Sequence, residues 1–175
     1  MNRRHIISVL VENHFGVLAR ISSLIAGRGF NIDSLSVGET EDPTISRMTI
    51  VTRGDERIIE QITKQLNRLI DVIKVTDMTE SPHVERELLL VKVATPTAQV
   101  RSEVVQVVDV FRAKVVDISA TTITIEVTGD QDKIDAFVEM LGPFGIKEMA
   151  RTGAVAMGRE RTGRANRAIS EVKVA

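Results

Sequence analysis

The sequence predicts an α+β protein of two tandem βαββαβ units, and three observations carry that prediction. Apolar runs of strand length alternate with segments of helical period in the order β-α-β-β-α-β, and the order occurs twice. Each half enters its second helix through the same strand-Gly-Asp-helix junction, Gly54-Asp55 and then Gly129-Asp130. A short polar stretch with a proline, Glu80-Ser81-Pro82-His83, separates the halves.

The first strand runs from about Arg4 to Glu12, with Ile7, Val9 and Val11 on one face and Ile6, Ser8 and Leu10 on the other. Both faces are largely apolar, so both are expected to be covered, one by helices and the other by a partner sheet. A helix follows from Gly16 to Arg28, with Gly27 and Gly29 at its end, where a left-handed glycine belongs. Residues 31–37 alternate like a strand, residues 41–44 form a turn, and Ile45 to Thr52 is the next strand. Asp55 caps a helix carrying Ile58, Ile62, Leu66 and Leu69, and Val72 to Met78 closes the unit. That order is the ferredoxin-like split βαβ arrangement, an antiparallel four-stranded sheet with two helices on one face. After the linker the order returns. A strand spans Glu85 to Ala94, and Thr95-Pro96-Thr97 opens a helix with Val100, Val104, Val107, Val108 and Phe111. Lys114 to Ser119 and Thr122 to Thr128 read as a hairpin. Asp130 caps a helix with Ile134, Phe137, Val138 and Leu141, Gly142-Pro143 ends it, and Ile146 to Met149 is the last strand.

Residues 151–175 change character. Arg151, Arg159, Arg161, Arg164, Arg167 and Lys173 face only Glu160 and Glu171, apolar periodicity is poor, and glycines interrupt any helix. The end of the chain therefore reads as a basic C-terminal tail, either solvated or ordered by a partner.

Composition excludes several classes. The chain has 175 residues and no Cys, so disulfides and thiol chemistry are out. The N-terminal apolar run is too short for a secretory leader, and no run approaches the roughly 20 residues that span a membrane. A cytoplasmic protein is expected. Net charge is −1, and there is no Trp or Tyr, which argues against nucleic acid as partner. Catalytic groups are also missing by pattern. The three histidines, His5, His14 and His83, sit in a strand start, a loop and the linker without metal-ligand spacing. No serine elbow, dinucleotide fingerprint or phosphate loop occurs.

The stretch with chemistry to offer is Asn13-His14-Phe15-Gly16-Val17-Leu18, a strand-to-helix turn with glycine where the helix opens. Helix starts expose backbone N–H groups and a partial positive charge, which suit a carboxylate or phosphate. Gly16 lets a ligand approach the backbone, and Asn13 can accept from an ammonium or donate to a carboxylate. A free amino acid could be held by both charged ends. The plainer alternative is that Asn13 only caps the helix. Asn31 starts the second strand, at the opposite end of the unit from the turn. Two copies joined edge to edge about a two-fold could bring Asn13 and Asn31 together. The alternative for Asn31 is a simple turn residue.

Asn13-x-x-Gly16-x-Leu18, residues 28–35 (Arg-Gly-Phe-Asn-Ile-x-Ser-Leu) and residues 42–50 (Asp-Pro-Thr-x-Ser-Arg-Met-Thr-Ile) together resemble the ACT domain of the acetolactate (acetohydroxyacid) synthase small, regulatory subunit. His83 to Leu88, Leu90 to Val93 and Arg151-Thr152-Gly153 resemble that family's C-terminal domain. The resemblance covers roughly residues 3–157 and implies an ACT domain at 1–79, a linker at 80–84, a second ferredoxin-like domain at 85–157 and a flexible tail at 158–175. It implies a non-catalytic subunit that homodimerises through its ACT domains and activates a large catalytic subunit. Feedback inhibition by valine or another branched-chain amino acid would follow. Asn13, Gly16, Val17 and Leu18 of one copy, with Asn31 and Ile32 of its mate, would line the effector site. Phe15 falls at a position that varies in the family and could alter effector preference. Thiamine diphosphate, FAD and magnesium would reside on the catalytic subunit, and no cofactor or metal on this chain. Two alternatives are a free-standing amino-acid sensor of the same fold with a different partner, and a nucleic-acid-binding protein using the arginine tail, against which the missing Trp and Tyr and the near-neutral net charge argue.

Overall fold

The computed structural model describes residues 3–27 and 31–159. The expected left-handed Gly29 and residues 160–175 of the expected basic tail lie outside them, whereas residues 151–159, read as the start of that tail, are ordered: Arg151 ends a strand and Arg159 N donates to Pro82 O at 2.9 Å. The first unit comprises β1 (Arg3–Glu12), α1 (Val17–Ala26), β2 (Ile32–Glu39), β3 (Ile45–Gly54), α2 (Glu56–Leu66) and β4 (Val72–Asp77). The second comprises β5 (His83–Ala94), α3 (Ala98–Val110), β6 (Lys114–Ile118), β7 (Thr122–Gly129), α4 (Gln131–Leu141) and β8 (Ile146–Arg151). The strand orders β2-β3-β1-β4 and β6-β7-β5-β8 are the same path through two antiparallel sheets, so the tandem arrangement holds in topology.

Each sheet buries one face under its two helices. In the first unit Ile7, Val9 and Val11 pack with Ile21, Ile25, Ile59 and Ile62. In the second, Leu89, Val91 and Val93 pack with Val104, Val108, Ile134 and Phe137. The recurring Gly-Asp junctions have a packing reason. A Cβ on Gly54 would lie 2.9 Å from Ile58 Cγ2, and one on Gly129 would lie 2.6 Å from Lys133 Cδ. The strand therefore runs close beneath the first turn of the helix. The aspartate then caps that turn: Asp55 accepts from Ile58 N and Asp130 from Lys133 N. Asp55→Ala is expected to lower stability by about 1 kcal/mol, read as a shifted urea midpoint with an unchanged m-value.

The fold departs from expectation in four places. First, part of the second face of the first sheet is covered by a strand of this chain itself. A strand absent from the sequence reading, β9 (Val155–Gly158), pairs with His83–Arg86 at the front half of β5. Ala156 N donates to Thr49 Oγ1 at 3.3 Å, and Ser36 Oγ donates to Ala154 O at 2.6 Å. Ile6, Met78 and Ala156 close a small second core beneath the ribbon. Second, β5 starts at His83, so the last two residues of the expected linker belong to a strand. Third, α1 ends at Ala26 instead of Arg28, with Gly27 at its cap in a right-handed conformation, φ −64°. Fourth, α2 ends at Leu66, and Leu69 reaches the core from the following turn.

Candidate functional site

α1 begins differently from the other helices. Thr97 caps α3 through Val100 N, as Asp55 and Asp130 cap α2 and α4. At α1 the capping position is Gly16, in a left-handed conformation with φ +91°, and no side chain caps the helix. The first helical amides are among those with no partner inside a helix. A Cβ on Gly16 would meet nothing within 4 Å, so the turn is open to approach.

Asn13 is not the helix cap. Its backbone N donates to Thr44 O at 2.7 Å, and its Nδ2 donates to Pro43 O at 2.9 Å and Glu39 Oε1 at 3.2 Å. The acceptor loop is itself fixed, because Thr44 donates both its backbone N and its hydroxyl to Asp42 Oδ1. Those two bonds hold the Asp42 carboxyl below its ordinary pKa. Residues 42–44 thus anchor Asn13. Its amide hydrogens are committed, and Oδ1 is the atom left to accept from a ligand.

The side chains after the turn divide. Val17 is 3% exposed and belongs to the core, so only its backbone faces the turn. Leu18 is exposed, and Phe15 projects fully into solvent. At the other end, Asn31 Nδ2 donates to Asp33 Oδ1 at 3.2 Å, and Thr52 Oγ1 donates to Asn31 O at 2.6 Å. Ile32 is half-buried against the first core. Ile32 lies opposite Thr52, and Thr52 opposite His5, whereas Glu12, just before the turn, lies opposite Ile45. The two groups of residues are therefore separated by about the length of the strand, roughly 20–25 Å. One chain does not bring them together. Among the described residues β2 is the sheet's outer strand, with no neighbour beyond it. Val155 and Met157 on β9 make an exposed apolar shoulder beside that edge and, with residues of β2, line a cavity of about 400 Å³.

Long-range polar contacts were not legible from spacing. Asp71, buried on the α2–β4 loop, binds His14 Nε2 at 3.0 Å and Arg20 at 2.6 Å. Glu12, His14 and Asp71 bring potential metal donors within 4.8 Å of one another. Arg20 already neutralises Asp71, so the group works as an ion-pair network. A larger cleft, of about 630 Å³, lies between the units, away from the α1 turn. Its charges pair off: Arg53 with Asp33 at 2.9 Å, and Arg151 with buried Glu87 through two bonds of 2.8 Å. Arg4 likewise pairs with Glu85 across the two units. Asn31 and Ile32 also line this cleft, on the side of the first unit.

Comparison with known proteins agrees with both halves of this architecture. The family model described as "AHAS small subunit-like ACT domain" matches residues 7–74, and "Small subunit of acetolactate synthase" matches residues 86–160. The chain is 63% identical over 158 residues to the acetolactate synthase small subunit of Aquifex aeolicus, covering 90% of this chain and 82% of that protein. It is 51% identical over 155 residues to the acetolactate synthase small subunit of Mycolicibacterium smegmatis, covering 89% and 91% respectively. The crystal structure of the acetolactate synthase small subunit from Thermotoga maritima superposes with a TM-score of 0.81 at 43% identity, over 90% of this chain and 98% of that one.

Proposed function

Because the chain belongs to the acetolactate synthase small-subunit family, we propose that it is a non-catalytic regulatory subunit that activates a large catalytic subunit and makes it sensitive to valine or a related branched-chain amino acid. The observation that carries this reading is the α1 turn, an uncapped helix start opened by a left-handed glycine, with Asn13 Oδ1 beside it. The amides take the effector's carboxylate and Asn13 Oδ1 takes its ammonium. Two copies pair through the outer edge of β2 and its apolar shoulder, setting Asn13, Gly16, Val17 and Leu18 of one against Asn31 and Ile32 of the other. Thiamine diphosphate, FAD and magnesium belong to the catalytic subunit in this reading, in the cytoplasm. No described helix is long and apolar enough to cross a membrane.

The test is to add this protein to the purified catalytic subunit and measure acetolactate formation with and without valine, leucine and isoleucine. Activation together with inhibition by one of them is expected. A chain that neither activates nor sensitises the catalytic subunit refutes the reading. Amino-acid binding without any effect on that subunit would indicate a free-standing sensor instead.

A further inference from the structure

We propose that His14 is a positioning residue for the effector turn, so that effector affinity is linked to the protonation of its imidazole. The inference rests on the effector reading above and adds a proton to it. Nδ1 of His14 lies 3.1 Å from Phe15 O, and Nε2 lies 3.0 Å from Asp71 Oδ1. Both neighbours are acceptors, so only the doubly protonated ring donates to both. Neutral imidazole has one N–H and must give up one of the two bonds. The Phe15 contact matters because that carbonyl shares a rigid peptide plane with the Gly16 N–H, one of the groups at the open helix start. Holding Phe15 O toward the ring therefore fixes the direction of the Gly16 N–H.

The charged groups around the ring come from three elements. Glu12 at the end of β1 places Oε2 3.5 Å from Nε2, Asp71 approaches from the α2–β4 loop, and Arg20 of α1 holds the other Asp71 oxygen. The Phe15 carbonyl, then Asp71 and Glu12, hold the imidazole pKa above its ordinary value against the opposing effect of desolvation. A raised histidine pKa means the folded turn is favoured at low pH, and the advantage is lost as pH rises through the folded-state value. The effector brings both a carboxylate and an ammonium, whose effects on the ring oppose each other, so the coupling comes from the turn: binding favours the doubly protonated ring, the state that keeps both bonds and holds the Gly16 N–H in place. By linkage, binding takes up protons and affinity falls as pH rises.

The test uses the full-length protein. Valine binding is measured by calorimetry from about pH 5.5 to about pH 8.5, together with ring NMR titrations of His14 with and without valine. Wild type is expected to lose about threefold to tenfold in affinity across that range, which corresponds to a bound-state pKa higher by up to one unit. His14→Gln is expected to flatten the pH profile and identifies the His14 resonance, and Asp71→Asn to lower the His14 pKa. Valine affinity that is constant with pH, with a His14 pKa unmoved by valine, overturns the inference and leaves the effector reading standing. Absence of binding of valine, leucine and isoleucine at every pH overturns both.

Discussion

Gly16→Asp is expected to give a folded subunit that still activates its catalytic partner but no longer responds to valine. Two terms decide the outcome, and they act at different levels. The first is conformational. Gly16 sits at φ +91°, where an L side chain costs roughly 1–2 kcal/mol, less for Asp and Asn than for most residues. Since a Cβ there meets nothing within 4 Å, no clash adds to that, and the fold survives. The second term is electrostatic. A carboxylate at the open start of α1 competes for the same amides as the effector and repels its charge. At about 4 Å and an effective dielectric near 20, that repulsion is of order 4 kcal/mol, enough for a loss of more than a hundredfold in affinity. Gly16→Asn separates the terms, because it carries the same backbone strain without the charge and should retain part of the response. Dose–response curves of the reconstituted complex decide the matter. A Gly16→Asp complex inhibited at the wild-type valine concentration would place the effector somewhere other than this turn.

What could be read from the sequence was local. The period-two and period-3.6 patterns, the Gly-Asp junctions and the turn at residues 41–44 each depend on neighbours a few residues apart, and each is present in the structure. What could not be read depends on distant pairings. β9 has four residues, Val155–Gly158, and within it only Ala156 is buried, so its pattern offers little periodicity. It becomes a strand because β5 presents His83–Arg86 as an edge and β3 presents the Thr49 hydroxyl. The apolar Ile6 on the second face of β1 correctly signalled a covered sheet, but not what covers it. The candidate site divides in the same way. Gly16 and the helix start were visible in the order of residues. The grip of the residue 42–44 loop on Asn13, and of Asp71 on His14, joins positions far apart in the chain and leaves no spacing to recognise.

Gly153→Val is expected to be the most damaging single change at the junction between the two units. Gly153 has φ +78°, and a Cβ there would lie 2.9 Å from Ser34 Cβ and 3.6 Å from Leu35 N. Neither neighbour can rotate away, since one is the root of a side chain and the other is backbone. A β-branched residue in the left-handed region costs roughly 1–2 kcal/mol, and forced overpacking adds about 1–3. Denaturant unfolding should therefore report a loss of roughly 2–5 kcal/mol. Ser34→Gly removes the contact but not the backbone strain, so the double-mutant cycle should return a coupling of about 1–2 kcal/mol. The consequence reaches beyond stability because Ser34 lies on β2, close to Asn31 and Ile32. Ala154, next in the chain, is bonded to both Ser34 and Ser36. Displacing this strap, residues 152–154 between β8 and β9, would move the edge strand that two copies are proposed to share, and the second unit is attached to it through β8 and β9. Partial loss of valine response in Gly153→Ala, a milder change, with restoration by Ser34→Gly, would tie the junction to regulation. A Gly153→Val protein within about 0.5 kcal/mol of wild type would instead mean that the strap yields freely, and that the two units are coupled by some other contact.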